Sequence, residues 1–173
     1  PTGVLHLGNA RSFLLAWLDV RSRQGRMILR IEDLDGPRIR PEDTDKAIED
    51  LQWLGLDWDD GPFLQTPRAD RYQEVFTSLL KADLIYPCTC SRKDVESAAS
   101  APHPGDEGPV YPGTCRGRWK DPEEAAAETG VEPCWRFKVD SGRVVEWQDR
   151  FVGPQRVEVA RMLGDFVVWK REG

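Results

Sequence analysis

Apolar residues recur along this chain with two periods, and the change from one to the other lays out its elements. Phe13, Leu14, Trp17 and Leu18 stand at helical spacing, with Arg11, Arg21 and Arg23 on other faces, which predicts an amphipathic helix over residues 13–24. Asn9 stands where an N-cap would, and Gly25 stops the helix. Residues 26–32 carry a short apolar run that reads as a buried strand. Helix, tight turn and strand in that order belong to a parallel βαβ unit. A second helix over 41–55 opens with Pro41, Glu42 and Asp43 and closes at Gly55, with Ile48, Leu51 and Leu54 on its core face and Trp53 beside it. Residues 56–62 read as a loop. Residues 68–84 read as a third helix, with Tyr72, Val75, Phe76, Leu79 and Leu80 facing inward.

Beyond Leu84 the elements shorten. Residues 84–91 predict a strand running into a knuckle, 93–99 a small helix, 101–109 a Pro/Gly loop and 121–133 a short helix with a connector. Residues 135–139 and 144–147 alternate apolar and polar, which predicts a hairpin or meander around Ser141-Gly142. Residues 151–163 read as strand and loop, and 165–170 as a last strand. The sum is an α/β chain in three stretches: a first α/β half over 1–84, an insert over 85–120 and an α+β continuation over 121–173.

Composition changes this picture little. Apolar residues at 39% and charged residues at 31% suit a folded soluble chain, and 173 residues suit one domain with an insert. No apolar run reaches the ~20 residues of a membrane span and no secretory signal opens the chain, so a cytoplasmic setting is expected. The net charge of -6 does not mark a general nucleic-acid binder, so any RNA partner must be met at a local site. Neither end reads as a natural terminus, since the strand expected before Pro1 is missing and the sequence stops just past a strand.

Three constellations carry chemistry. The first is His6-Leu7-Gly8-Asn9, a loop that opens a long helix. There the helix dipole favours an anion and the small Gly8 lets a phosphate approach the backbone; the competing reading is a plain helix cap. The second is Glu32-Asp33-Leu34-Asp35-Gly36-Pro37-Arg38, at the C-terminal end of a predicted parallel strand, where open α/β sheets bind ligands. Asp33 and Asp35 read as turn formers with Arg38 as an ion partner. Glu32 ends an apolar strand, where an unpaired carboxylate is costly, and a cationic substrate group would suit it. The third is Cys88-x-Cys90 with Cys115, three thiols spaced for a structural zinc. A fourth ligand is open between His103, Cys134, Tyr111 and water, and reduced structural cysteines are the competing reading.

Together these stretches resemble a known family. P-T-G-x-L-H-L-G-N-A-R followed by L-R-I-E-D-L-D-x-x-R is similar to the class I glutamyl-tRNA synthetases, with His6-Leu7-Gly8-Asn9 in the place of their H-I-G-H signature. C-T-C-S-R with Y-P-G-T-C-R-G resembles a small subgroup that lacks an anticodon-binding domain and loads glutamate onto the queuosine base in the anticodon of tRNA(Asp). The resemblance implies a Rossmann-like class I aminoacyl-tRNA synthetase catalytic domain, truncated at both ends, with a small zinc-binding insert. It implies ATP with Mg²⁺, L-glutamate and tRNA(Asp) carrying queuosine as partners, a structural Zn²⁺ and a monomer. It implies ATP-phosphate contacts at His6, Leu7, Gly8 and Asn9, with Asn9 departing from the second histidine of the general signature. It implies that Glu32 binds the ammonium of glutamate, and that the zinc ligands are Cys88, Cys90, Tyr111 and Cys115. An R-F-A-P-S stretch is expected before Pro1, and a substrate-binding tyrosine and arginine and a K-M-S-K-S loop after Gly173, so this piece is not expected to catalyse alone. The alternatives are a glutamyl-tRNA synthetase charging tRNA(Glu), a nucleotidyltransferase of the same superfamily, and a non-catalytic zinc module that binds RNA.

Overall fold

A helix begins wherever its free N–H groups find acceptors, and here that happens before the apolar run. In the computed structural model, which describes residues 5–34, 40–98 and 109–171, helix α1 spans Leu7–Ser22 with His6 as its N-cap. His6 Nδ1 accepts from the Gly8 N–H at 3.1 Å, and Asn9 Oδ1 accepts from the His6 N–H at 3.1 Å. The cap is therefore His6, three residues ahead of the expected Asn9. Asn9 instead lies inside the first turn and closes a reciprocal capping box. The helix is tied to the loop before the second strand by polar contacts. Trp17 Nε1 donates to Asp57 Oδ1 at 2.7 Å, and Arg21 bonds Asp57 and Asp59.

The chain divides into two units, Pro1–Glu74 and Val75–Gly173. In the first, β1 (Ile28–Ile31) and β2 (Asp60–Leu64) pair in parallel, with Ile28 opposite Asp60 and Ile31 opposite Leu64. Helix α2 (Pro41–Trp53) lies between them in sequence, so the unit contains the helical crossover that parallel strands require. Two expectations are corrected here. β1 is not a buried strand: only Ile31 is buried and Ile28 is largely exposed. Residues 56–62 are not all loop, because β2 begins at Asp60. Gly61-Pro62 is turn chemistry, but a proline is tolerated in a strand where its missing N–H breaks no ladder bond. On α2 the buried residues are Ala47 and Leu51, whereas Leu54 and Trp53 are exposed.

Helix α3 (Ala69–Lys81) carries the chain across the unit boundary. In the second unit, β3 (Ile85–Cys88), β4 (Cys134–Phe137) and β7 (Phe166–Trp169) form an antiparallel sheet in the order β3-β4-β7. Register places Tyr86 opposite Arg136 and Cys88 opposite Cys134, so these four share one face of the sheet. Trp135 and Phe137 take the other face, where Phe76 packs edge-on to Trp135 and Phe137 stacks on Phe166. Residues 135–139 and 144–147 do not pair with each other, as the expected hairpin or meander requires. β4 pairs with β3 and β7, while β5 (Val144–Asp149) forms its hairpin with β6 (Gly153–Glu158) around the turn at 150–152. Alternation predicted strands but could not say which would pair. No helix among the described residues is long and apolar enough to cross a membrane.

Candidate metal centre and phosphate-binding turn

The second unit packs its core around sulfur. Tyr86, Cys88, Val95, Tyr111, Cys115, Trp119, Ala125 and Cys134 form one buried cluster, with Cys90 against it. Within it the Sγ atoms of Cys88, Cys90 and Cys115 lie within 4.8 Å of one another. Cys90 and Cys115 are 3.4 Å apart, and the Tyr111 hydroxyl oxygen lies 3.4 Å from Cys88 Sγ and 3.8 Å from Cys90 Sγ. A tetrahedral zinc with bonds of about 2.3 Å to sulfur sets its donors about 3.8 Å apart, so three sulfurs and this oxygen span the size of one coordination shell. A hydrophobic core alone has no need to gather four polar donors at one point.

Each donor is set by its element. Cys88 ends β3, and Cys90 follows on the turn before helix α4 (Arg92–Ala98), whose start is fixed by Ser91 and Asp94. Tyr111 makes a lone parallel bridge with Gly164, and its hydroxyl accepts from the Cys115 N–H at 2.8 Å. Gly164 lies at φ 62°, and a Cβ there would come within 2.7 Å of the Tyr111 carbonyl, so only glycine lets the two backbones meet. Arg136 donates from Nε to Cys88 Sγ at 3.2 Å and from Nη1 to the Asp165 carbonyl at 2.7 Å. Its guanidinium carbon lies 3.8 Å from the Tyr111 ring centroid. Arg171 donates to the carbonyls of Thr89 and Cys90.

The electrostatics are those of a site short of positive charge. The hydrogen bond with Cys134, aided by Tyr111 and Arg136, holds the Cys88 thiol below its usual value. The same bond pushes Cys134 up, and Cys134 donates its own S–H to the Cys88 carbonyl at 3.1 Å. Burial, with Cys115 beside it, pushes Cys90 up; burial, with Cys115 and Cys88 beside it, pushes Tyr111 up. The Cys88 thiolate is thus favoured, while Cys90 and Tyr111 are pushed toward keeping protons that a bound dication would displace. Of the alternatives for a fourth donor, Cys134 is spent on the Cys88 backbone, and His103 lies outside the described residues.

In the first unit, His6 and Asn9 meet through the capping box, while Leu7 and Gly8 form the helix start between them. Because His6 Nδ1 accepts a hydrogen bond, the neutral ring carries its proton on Nε2, which has no partner among the described residues. A Cβ on Gly8 would come within 2.9 Å of the imidazole, so the glycine is what lets the ring fold back over the helix end. Glu32 does not stand as expected. It is exposed and paired with Arg30 at 2.8 Å, not a desolvated carboxylate at the end of a buried strand. No hydrogen bond or ion pair among the described residues joins it to His6 or Asn9. Asp33 has a clearer job than turn former: its Oδ1 accepts from the N–H groups of Gln65 and Thr66 at 2.7 and 2.9 Å, clamping the ends of the parallel strands together. Asp35 and Arg38 lie outside the described residues. Arg136 was the residue sequence reasoning missed, and Asp33 was read only as a turn former. The polar place of Arg136 in the alternation of β4, on the face of Cys134, was the signal available.

A parallel βαβ unit, a helix with a capped start and a second unit built around a cysteine cluster describe an α/β protein. The chain belongs to the tRNA synthetases class I (E and Q), catalytic domain family, whose model matches residues 1–173. It is 44% identical over 181 residues to the glutamyl-Q tRNA(Asp) synthetase of Rhodopirellula baltica, covering 99% of this chain and 53% of that protein. It is 42% identical over 170 residues to the glutamate–tRNA ligase of Thermosynechococcus vestitus, covering 97% of this chain and 35% of that one. A crystal structure of a glutamate tRNA ligase from Elizabethkingia meningosepticum, in complex with its amino acid, superposes with a TM-score of 0.70 at 25% identity, over 99% of this chain and 37% of that one. The chain thus spans about half the length of its glutamyl-Q relative.

Proposed function

We propose that this chain is the catalytic part of an enzyme that activates L-glutamate with ATP and transfers it to the queuosine base in the anticodon of tRNA(Asp). The observation that carries this reading is the 44% identity to the Rhodopirellula protein of that name across 99% of the chain. The Cys88, Cys90, Tyr111 and Cys115 cluster supports it, because its four donors are of a type and spacing that suit zinc.

The reaction has two steps. An oxygen of the glutamate α-carboxylate bonds to the α-phosphorus of ATP as the bond to the bridging oxygen breaks, and pyrophosphate leaves with the electron pair. A hydroxyl of the modified base then attacks the carbonyl of the glutamyl-adenylate; AMP leaves and the hydroxyl proton passes to solvent. The first step needs positioning and stabilisation of phosphoryl charge more than covalent chemistry. His6 Nε2–H, the Asn9 amide N–H and the Leu7 N–H at the helix start would supply donors to the phosphates, Gly8 would leave room beside them, and Mg²⁺ would arrive on ATP. Glu32 would exchange Arg30 for the ammonium of glutamate. Zinc would be structural, holding residues 85–120 as an insert.

A second reading, a glutamyl-tRNA synthetase charging the 3′ end of tRNA(Glu), is favoured by the 42% identity to the Thermosynechococcus ligase. Glutamate transfer by the complete protein to tRNA(Asp) bearing queuosine, against transfer to tRNA(Glu), separates the two.

A further inference from the structure

We infer that Arg136 is the counter-ion of the cysteine–tyrosine centre, a positioning residue that lets a buried four-anion donor set hold a divalent cation. The inference rests on the zinc reading above and adds a residue that the ligand set does not contain. Three thiolates and a phenolate carry four negative charges, and a dication cancels two of them. The remainder sits among buried residues, with Cys88 and Cys115 almost wholly enclosed, where uncompensated charge is costly.

Arg136 is the cation built against that remainder. It bonds Cys88 Sγ through Nε at 3.2 Å and lies with its guanidinium carbon 3.8 Å from the centroid of the Tyr111 ring, so it contacts two of the four donor residues at once, one at its sulfur and one at its ring face. Its Nη1 is held by the Asp165 carbonyl at 2.7 Å, which fixes the plane. The strand register explains why it is there. Arg136 is opposite Tyr86 and two residues from Cys134, on the sheet face that carries Cys88. A planar group with donors on two edges and a face for an aromatic ring is guanidinium chemistry. An ammonium would keep the charge but lose the stack and the fixed fork. The neighbouring basic residue Lys138 pairs with Asp83 at 2.6 Å, away from the sulfurs, and gives a matched control.

The test is zinc affinity of the complete protein, measured by chelator competition on wild type, Arg136→Lys, Arg136→Met and Lys138→Met. Loss of an outer-shell partner lowers metal affinity about 10- to 100-fold. The expected order is wild type tightest, Arg136→Lys intermediate and Arg136→Met weakest by at least about tenfold, with Lys138→Met equal to wild type. Wild-type affinity in Arg136→Met, equal loss in the Lys and Met variants, or equal loss in Lys138→Met overturns the inference while leaving the zinc reading intact. A wild-type protein that takes up no zinc overturns both. Should Arg136→Met fail to fold, Arg136→Lys against Lys138→Met decides alone: a weakening confined to Arg136→Lys supports the role, and equality of the two contradicts it.

Discussion

In the proposed reading His6 has two jobs, one for each ring nitrogen, and they can be pulled apart. Nδ1 caps α1 by accepting from Gly8, and Nε2–H is left for an anion. His6→Ala loses both; His6→Ser keeps a good cap without the second donor, and losing the cap costs about 1 kcal/mol. Both variants are expected to lose about 10²-fold or more in glutamate-dependent ATP–pyrophosphate exchange, the scale of one lost charge-stabilising donor. Only the Ala variant should also lose thermal stability. Full exchange in His6→Ser would leave His6 a cap and nothing more. Tyr111 presents a similar choice. Its hydroxyl lies within 3.8 Å of two sulfurs, so Tyr111→Phe should bind zinc more weakly than wild type by metal analysis after dialysis, and His103→Ala should not. Zinc lost only from the His103 variant would reverse the assignment.

At the scale of elements, one carboxylate holds much of the second unit together. Asp165 is buried just before β7; its Oδ1 accepts from the Val139 N–H at 2.8 Å and Arg116 at 3.3 Å, and its Oδ2 accepts from the Tyr86 hydroxyl at 2.7 Å. Burial, then Asp165, pushes the Tyr86 phenol well above its ordinary value, so it stays a donor at any working pH. The Arg116 contact is partly solvated and screened, so most of the loss on Asp165→Ala comes from stranding the Val139 amide and the Tyr86 hydroxyl. A cost of about 2–4 kcal/mol is expected, read as a lower urea midpoint; an unchanged midpoint would show the network to be incidental. Elements were legible where the signal was local. The three long helices and the strands at 85–88 and 166–169 follow from apolar period and punctuation. β2 did not, because Gly61-Pro62 carries turn chemistry inside a strand. The partner of β4 did not, because alternation names a strand without naming its neighbour.

At the scale of the molecule, the candidate sites were more legible than the fold that carries them. Cys88, Cys90 and Cys115 announce a metal by residue type and spacing, and the structure brings their sulfurs together. Tyr111 was only one of several candidates by metal chemistry; its place beside Cys88 and Cys115 depends on the bridge to Gly164, more than fifty residues on, which no local pattern encodes. Glu32 read as an unpaired carboxylate ending an apolar strand, yet that strand end is open to solvent and Glu32 pairs with Arg30. The family places the chain among the glutamate- and glutamine-specific synthetases, and the destination of the activated glutamate is the central claim. It is tested by incubating the complete protein with radioactive glutamate, ATP and, in separate reactions, tRNA(Asp) with queuosine, tRNA(Asp) without it, or tRNA(Glu), then cutting the RNA and locating the label. The account predicts label in the anticodon fragment of the queuosine-bearing tRNA alone; label at the 3′ end of tRNA(Glu), or on no RNA at all, would contradict it.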